Sequence, residues 1–533
     1  MPCRNVPAGR RAGRSAVVRS LVSTNARWLA PVVAACLIAS GCQPSPTASP
    51  TPRASSPAPT SPAASPVGPS SAARIPLADD LRDAVDVDAI VADLGRLQSI
   101  AAEHGGARPA GSDGHAAAAA FVADQLRAAG YSVELQPVDV PFFRQLAPSV
   151  LQVEGAGPAF EDVHDFKAML LSASGTVTAP VFALGFNPGA LPGDRAGLGC
   201  NPGDWSGVPA GSIVLVQAAG CRRRDVIVQA QAAGALALLT AYPEWARDEV
   251  LRPTLINPNG IRIPVLGVTE ATGTALADAA AAGKQVHIST RTAVETRSSV
   301  NVIGETAGGD PSHVVMLGGH LDSVVDGPGI NDDGSGTMTV LEIARELAAQ
   351  LRKGGSGAPA PGWKVRVGFW TGEEIGLLGS TAWVGRSGAP PLTSIAAYLN
   401  LDMLGSPNGG RFVYDGATTT RPAPSGIASQ LFVRALEEEG LVWQSVSVGS
   451  SDNVPFDQFG VPTSGLFSGA NEIKSGTQAE LFGGTGDAPA DACFHLACDT
   501  TANIDRQLLG ELARTAGWVV GALASGEVDL GSS

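Results

Sequence analysis

Val87, Ile90, Leu94, Leu97 and Ile100 recur every three or four residues, the period of one helix face. Residues 79–130 are therefore expected to be helical, with Ala116 to Ala129 as a second amphipathic run. Tyr131 to Val140 alternates and predicts a strand. Between about 170 and 296 the texture changes to short β-rich pieces (Val177 to Leu184, Ser212 to Gln217, Ile263 to Thr269), Gly/Pro turns and one Ala-rich helix from Asp225 to Ala233. That stretch predicts a smaller inserted unit. Beyond it, Val314 to Leu317, Trp363 to Trp370 and Ile395 to Leu401 have the apolar character of strands, and helical runs follow from Thr337 and over Ile375 to Val384. Helix and strand alternate, which predicts an α/β fold.

The N-terminus has a different logic. Residues 1–27 are basic and Trp28 to Ile38 form an apolar run too short to span a bilayer, the pattern of an export signal. It ends in Ala39-Ser40-Gly41-Cys42, small residues before a cysteine, which resembles the lipobox of bacterial lipoproteins. The expectation is a signal peptide over 1–41 and a lipidated Cys42; ordinary cleavage leaving a free thiol is the alternative. From 42 to 78 the chain is almost only Ser, Pro, Ala and Thr, a composition with too little apolar surface to offset the entropy of ordering. It predicts a disordered stalk holding a folded body away from the outer face of the cell membrane, or released from it.

The 533 residues are 44% hydrophobic with a formal charge of −14. At ~100–200 residues per domain the length suggests two to four domains, and no later stretch offers the ~20 apolar residues of a membrane span. The first 41 residues carry six arginines and no acid, so their removal takes the charge from −14 to −20. Such an anion repels phosphate backbones, and no nucleic-acid partner is expected. With Cys3 and Cys36 lost with the signal and Cys42 to lipid, four cysteines remain. In an exported chain two local pairs are expected, Cys200 with Cys221 and Cys493 with Cys498; buried free thiols are the alternative.

Candidate chemistry clusters where strands end. Val314 to Leu317 leads into Gly318-Gly319-His320-Leu321-Asp322-Ser323, and His320 and Asp322, two apart on extended backbone, point to the same side. A carboxylate beside an imidazole can take one ring nitrogen and leave the other for a metal. A glycine-rich turn, Gly327 to Gly336, then carries Asp332 and Asp333 to the start of a helix. The second strand ends in Gly372-Glu373-Glu374, the third in Asp402, and Cys493-Phe494-His495 lies near the C-terminus. In open α/β sheets ligands bind beyond the carboxyl ends of strands, so these residues can converge. Two His and three carboxylates suit two zinc ions that activate water for hydrolysis.

The strings His320-Leu321-Asp322-Ser323, Gly329 to Gly336, Gly372-Glu373-Glu374, Asn400 to Asn408 and Cys493-Phe494-His495 resemble, in order and spacing, those of M28 family zinc aminopeptidases, above all the secreted streptomycete-type enzymes. Residues 169–296, with Gly211 to Val216, Ala233 to Leu239 and Ile263 to Thr269, resemble a protease-associated (PA) domain. The resemblance implies the zinc-dependent exopeptidase fold, a mixed central sheet with helices on both faces, over 79–168 and 297–528. It implies that Asp332 bridges two zinc ions, His320 and Asp402 complete one, and Glu374 and His495 the other. Glu373 is then the general base, Asp322 orients His320, and the Asp332-Asp333 peptide is cis. The implied substrates are peptides with a free N-terminus, preferably apolar.

Three departures stand out. Phe494 replaces the Tyr of streptomycete-type enzymes, so no phenolic hydrogen bond to the oxyanion comes from that position. Ser451-Asp452-Asn453 replaces Ser-Asp-His. The calcium-binding acids have no counterparts at Arg506, Gly510 and Arg514. Competing expectations are an M28-type carboxypeptidase, a single-zinc glutaminyl cyclase, which the full set of five ligands disfavours, and a non-catalytic peptide-binding surface lipoprotein.

Overall fold

The computed structural model describes residues 74–188, 199–218, 221–242, 250–353, 362–386 and 392–531. The expected signal peptide, Cys42 and most of the stalk lie outside these residues. Three helices open the folded chain: α1 (Pro76–Ala84), α2 (Val87–Glu103) and α3 (Asp113–Ala129). The last residues of the expected stalk, Pro76 to Ala78, thus already belong to a helix. In α2 the three-and-four spacing buries Ile90, Leu94, Leu97 and Ile100, and Asp86 caps its start by accepting from the Asp88 N–H. In α3 Ser112 accepts from the His115 N–H, and Gly130, at φ 97°, closes the far end in the left-handed conformation that glycine adopts freely.

Next comes β1 (Ser132–Val153), far longer than the expected Tyr131 to Val140. It is followed by β2 (Phe166–Ala168), β3 (Gly175–Ala183), β4 (Ile213–Gln217), α4 (Arg223–Ala232), β5 (Ala237–Tyr242), β6 (Val265–Thr269), α5 (Glu270–Ala281) and β7 (Gln285–Glu305). Helix α5 corrects the expectation of one helix in the insert. Thr and Gly early in the segment lower its helix propensity, but Thr269 caps it and Leu276 and Ala279 are buried. Both expected disulfides are formed, Cys200–Cys221 and Cys493–Cys498, with Cα atoms 5.7 and 5.3 Å apart.

The remainder is β8 (Asp310–His320), α6 (Gly336–Lys353), β9 (Trp363–Trp370), α7 (Leu378–Val384), β10 (Ile395–Leu401), β11 (Phe412–Asp415), α8 (Pro422–Glu438), β12 (Gln444–Ser447), α9 (Asn453–Gln458), β13 (Thr463–Phe467), α10 (Gly476–Phe482) and α11 (Arg506–Ala524). Helix α7 starts three residues later than expected, because Gly376 and Leu377 take φ of 112° and 59° and turn the chain first.

The strands order as β12-β11-β13-β10-β8-β9-β7-β3-β4-β5-β6-β2, with β1 paired to β7. Parallel pairs β13-β10-β8-β9 form the centre, and β7 runs antiparallel to β9. The sheet is therefore mixed, as expected. Central strands are buried on both faces. Val315 and Leu317 join the core formed with α2, α3, α6, α8 and α11, while Met316 packs on the other side with Trp370, Trp383, Tyr398 and Phe456. The antiparallel ribbon β1–β7 links two regions: β7 pairs with β9 through Val302–Glu305 and with β3 through Gln285–Thr290.

Leu317 is fully buried on the central strand. Leu317→Ala is expected to cost about 2–5 kcal/mol, seen as a lower denaturant midpoint with both disulfides intact.

Candidate metal centre

The register of three parallel strands brings the candidate residues together. His320, the last residue of β8, pairs with Trp370 at the end of β9, and Gly318 pairs with Asn400 near the end of β10. Glu373, Glu374 and Asp402 follow directly, so three strand ends deliver side chains to one rim. Asp332 arrives from the turn Ile330–Ser335 before α6, across a cis Asp332-Asp333 peptide. His495 arrives from the loop closed by Cys493–Cys498.

The Asp332 carboxylate stands between the two imidazoles. Its Oδ1 lies 3.1 Å from His320 Nε2 and its Oδ2 lies 3.1 Å from His495 Nε2. Asp402 Oδ1 is 3.7 Å from His320 Nε2, and Glu374 Oε2 is 3.1 Å from His495 Nε2. Two donor groups result, His320 with Asp402 and His495 with Glu374, each facing its own oxygen of Asp332. Glu373 Oε2 lies 4.0 Å from His320 Nε2. The backs of these residues are also held. His320 Nδ1 is 3.1 Å from the backbone oxygen of Asp322 and 3.8 Å from its carboxylate. The carboxylate accepts instead from the Glu373 N–H at 3.2 Å. Directing Nδ1–H to an oxygen leaves the Nε2 lone pair for a metal.

Some supporting residues have roles that the sequence did not assign. Asp333 is close enough to His320 and Asp402 to count as a ligand, but its oxygens are taken by the N–H groups of His320, Gly336 and Met403 at 3.1, 2.9 and 3.0 Å. It ties β8, α6 and β10 together. Asp499 accepts from the N–H groups of Asn331 and Asp332 at 2.8 and 3.1 Å. Fully buried Arg108 donates to the carbonyls of Leu321, Pro328 and Gly329. A single Arg between helices carries no pattern; the acid after Cys498 was the one available signal. Phe494 stacks on His495, ring centroids 3.8 Å apart, which gives that departure a packing role. Both side-chain polar atoms of Asn453 are buried without partners, while Asp452 Oδ1 accepts from Ser380 Oγ at 2.5 Å.

Two carboxylate oxygens, Asp402 Oδ1 and Glu374 Oε1, are buried with no hydrogen-bond donor among the described residues. Such oxygens are costly unless a cation compensates them, and imidazole nitrogen with carboxylate oxygen is a zinc donor set. The residues fit the metal. A cavity of about 810 Å³ opens over the centre, with Met403, Phe412, Tyr414, Val446 and Phe467 among its walls.

An α/β sheet with a His- and carboxylate-rich rim marks a protein with a metal centre at its strand ends. The comparisons place it further. Residues 301–520 match the model of peptidase family M28, and residues 177–276 match the PA domain. The Mycobacterium tuberculosis protein named "Probable lipoprotein aminopeptidase LpqL" is 35% identical over 467 residues, 85% of this chain and 87% of that protein. An aminopeptidase of Pseudomonas aeruginosa is 34% identical over 79% of this chain and 77% of its own length. Leucine aminopeptidase 2 of Arthroderma otae is 33% identical over 80% of this chain and 82% of its own. Solved structures share the fold: an aminopeptidase from Aneurinibacillus sp. strain AM-1, TM-score 0.65 at 23% identity, covers 83% of this chain and 95% of that one. BSAP, a zinc aminopeptidase from Bacillus subtilis, reaches TM-score 0.61 at 23% identity over 82% and 94%. The chain belongs to peptidase family M28 and carries a PA domain; it is a metallo-exopeptidase of the aminopeptidase class.

Without metal, the acids of the rim oppose one another. Burial lifts the carboxyl of Asp402 to about 6, those of Asp322 and Asp452 to about 7 and that of Asp499 to about 8. Burial would also raise Asp332, but the imidazoles of His320 and His495 hold it below its ordinary value. A carboxyl raised on folding binds more protons folded than unfolded, so stability falls as pH rises from its ordinary value through the raised one. The zinc-free protein is expected to lose thermal stability from pH 5 to pH 8, and the Tm gain on adding zinc to grow over that range; calorimetry with and without chelator checks both.

Proposed function

We propose that this protein is a dinuclear zinc aminopeptidase, exported and held to the membrane by a lipid on Cys42, that removes apolar N-terminal residues from peptides. The single observation behind the two-metal reading is the Asp332 carboxylate, which turns one oxygen to each imidazole, 3.1 Å on either side. Asp332 would bridge the ions, His320 and Asp402 would complete one site, and Glu374 and His495 the other. When bound, zinc supplies Lewis-acid polarisation of the scissile carbonyl and acidification of water.

The chain's own groups do the rest. Glu373 takes a proton from the attacking water and returns it to the leaving amine. Burial, with Glu374, Asp452 and Asp402 nearby and against the pull of His320, raises its carboxyl well above the ordinary range, which suits a group that both accepts and donates near neutral pH. Asp322 orients His320 through its backbone oxygen and fixes the Glu373 amide through its carboxylate. The free α-amino group is held among the rim carboxylates, which supports a preference for chain ends. The aromatic side of the cavity, with Phe412, Tyr414 and Phe467, receives the first side chain. The small residues before Cys42 support the lipid anchor, as does the likeness to a protein named as a lipoprotein. Among the described residues no helix is long and apolar enough to cross a membrane.

Glu373→Ala is expected to lower kcat on leucyl p-nitroanilide by about a thousandfold while two zinc ions per chain remain by elemental analysis. Asp332→Ala should lose metal and activity together; full activity in either variant contradicts the assignment. Cys42→Ser should move the protein from the detergent to the aqueous phase in a phase-partition assay, and equal partitioning of both forms would exclude the anchor.

A further inference from the structure

A second cavity, of about 370 Å³, lies between the insert and the catalytic unit. Its walls are mostly apolar: Val250, Leu251, Pro253 and Val268 from one side, Val324 and Val325 from the other. It meets the larger cavity at Arg223, Thr254, Glu374, Asn471, Phe494 and His495, which line both. The junction is thus on the Glu374 and His495 side of the metal centre. Once the first residue of a peptide occupies the larger cavity, with its amine among the acids, the chain beyond the scissile bond needs an exit, and this cavity is continuous with the reacting position.

The insert is docked where that exit begins. Ile256 is half-exposed at φ 62°, a left-handed conformation that a β-branched residue rarely adopts. Its side chain sits over Gly376, where any Cβ would collide with it. The loop carrying Ile256 therefore rests directly on the turn after Glu373 and Glu374.

Charge selects what ends in the second cavity. Three Lys and Arg residues line the two cavities. Lys474 donates to the carbonyls of Gly409 and Gly483. Arg252 is forked onto Asp326, Nε to Oδ2 at 2.8 Å and Nη2 to Oδ1 at 3.2 Å, with Nη1 on the Ala168 carbonyl. Arg223 differs: Nε and Nη1 donate to neutral oxygens, Tyr242 Oη at 3.1 Å and Thr254 O at 3.5 Å, and among the described residues no carboxylate pairs with it. A guanidinium that pairs with no carboxylate presents the matching fork to a peptide's terminal carboxylate.

We infer that the cavity between insert and catalytic unit holds the departing peptide and that Arg223 of the insert binds its terminal carboxylate, making the enzyme selective for short peptides with a free C-terminus. This assignment rests on the proposed placing of the N-terminal residue in the larger cavity. The test compares dileucine and trileucine with their C-terminal amides, on wild type, Arg223→Gln and Arg223→Lys, all zinc-loaded. Wild type should favour the acid over the amide by about tenfold in kcat/KM for at least one length, through KM, with the preference shrinking at high salt. Arg223→Gln should bring the ratio close to one, and Arg223→Lys should keep part of it. A wild-type ratio near one at both lengths, or an undiminished ratio in Arg223→Gln, overturns the assignment. Leucyl p-nitroanilide separates the two levels: cleavage without any acid preference sinks only the role of Arg223, whereas no cleavage by wild type sinks the underlying reading and this one with it.

Discussion

One buried carboxylate, that of Asp332, lies between two imidazoles from opposite ends of the catalytic sequence. Its position decides whether the rim is a site or a set of mutually repelling acids. Everything around it holds that position: Asp499 takes the Asp332 and Asn331 amides, Asp333 binds three more amides from three different elements, and Arg108 clamps the carbonyls of the loop between His320 and Asp332. Charged acceptors on backbone amides are worth more than neutral ones. Acids that bind only backbone amides thus place the acids that face one another across the rim.

The sheet supplies the other half of the constraint. Parallel strands end together only if their register is held, and β10, β8 and β9 are held by side chains buried on both faces, Val315 and Leu317 on one side and Met316, Trp370 and Tyr398 on the other. A slip of one residue would exchange the two faces and turn His320 away from Asp402. Stability of the core and geometry of the centre are the same requirement seen at two points on the strands.

The insert is tied in by more than its two chain crossings. The ribbon of β1 and β7 runs, through register shifts near Gln145 to Val150, from the catalytic sheet into the insert's sheet, and Arg252 joins the insert to Asp326, four residues past Asp322. Ile256 rests on the turn that follows the two glutamates. The cavity on that side is consequently built by both units.

Much was legible in the sequence. Helices α2 and α3 follow from a period of 3.6 and the central strands from short continuous apolar runs, because both patterns are set by near neighbours in the chain. The five ligand-type residues and Glu373 were legible because each ends a strand or sits in a short constrained loop, and the local cysteine pairs because loop closure is cheapest at short separation. Helix α5 was missed although half of it is alanine: Thr272, Gly273 and Thr274 interrupt the pattern near its start, and the packing of Leu276 and Ala279 that holds it is not visible in the chain. The left-handed Gly376-Leu377 turn, the work of Asp333 and Arg108, and the sharing of one cavity wall by Arg223 and His495 were decided only by the tertiary structure. Each depends on groups brought together from distant parts of the chain, and the energy that selects such a contact is burial and charge compensation, which exist only after the strands have paired.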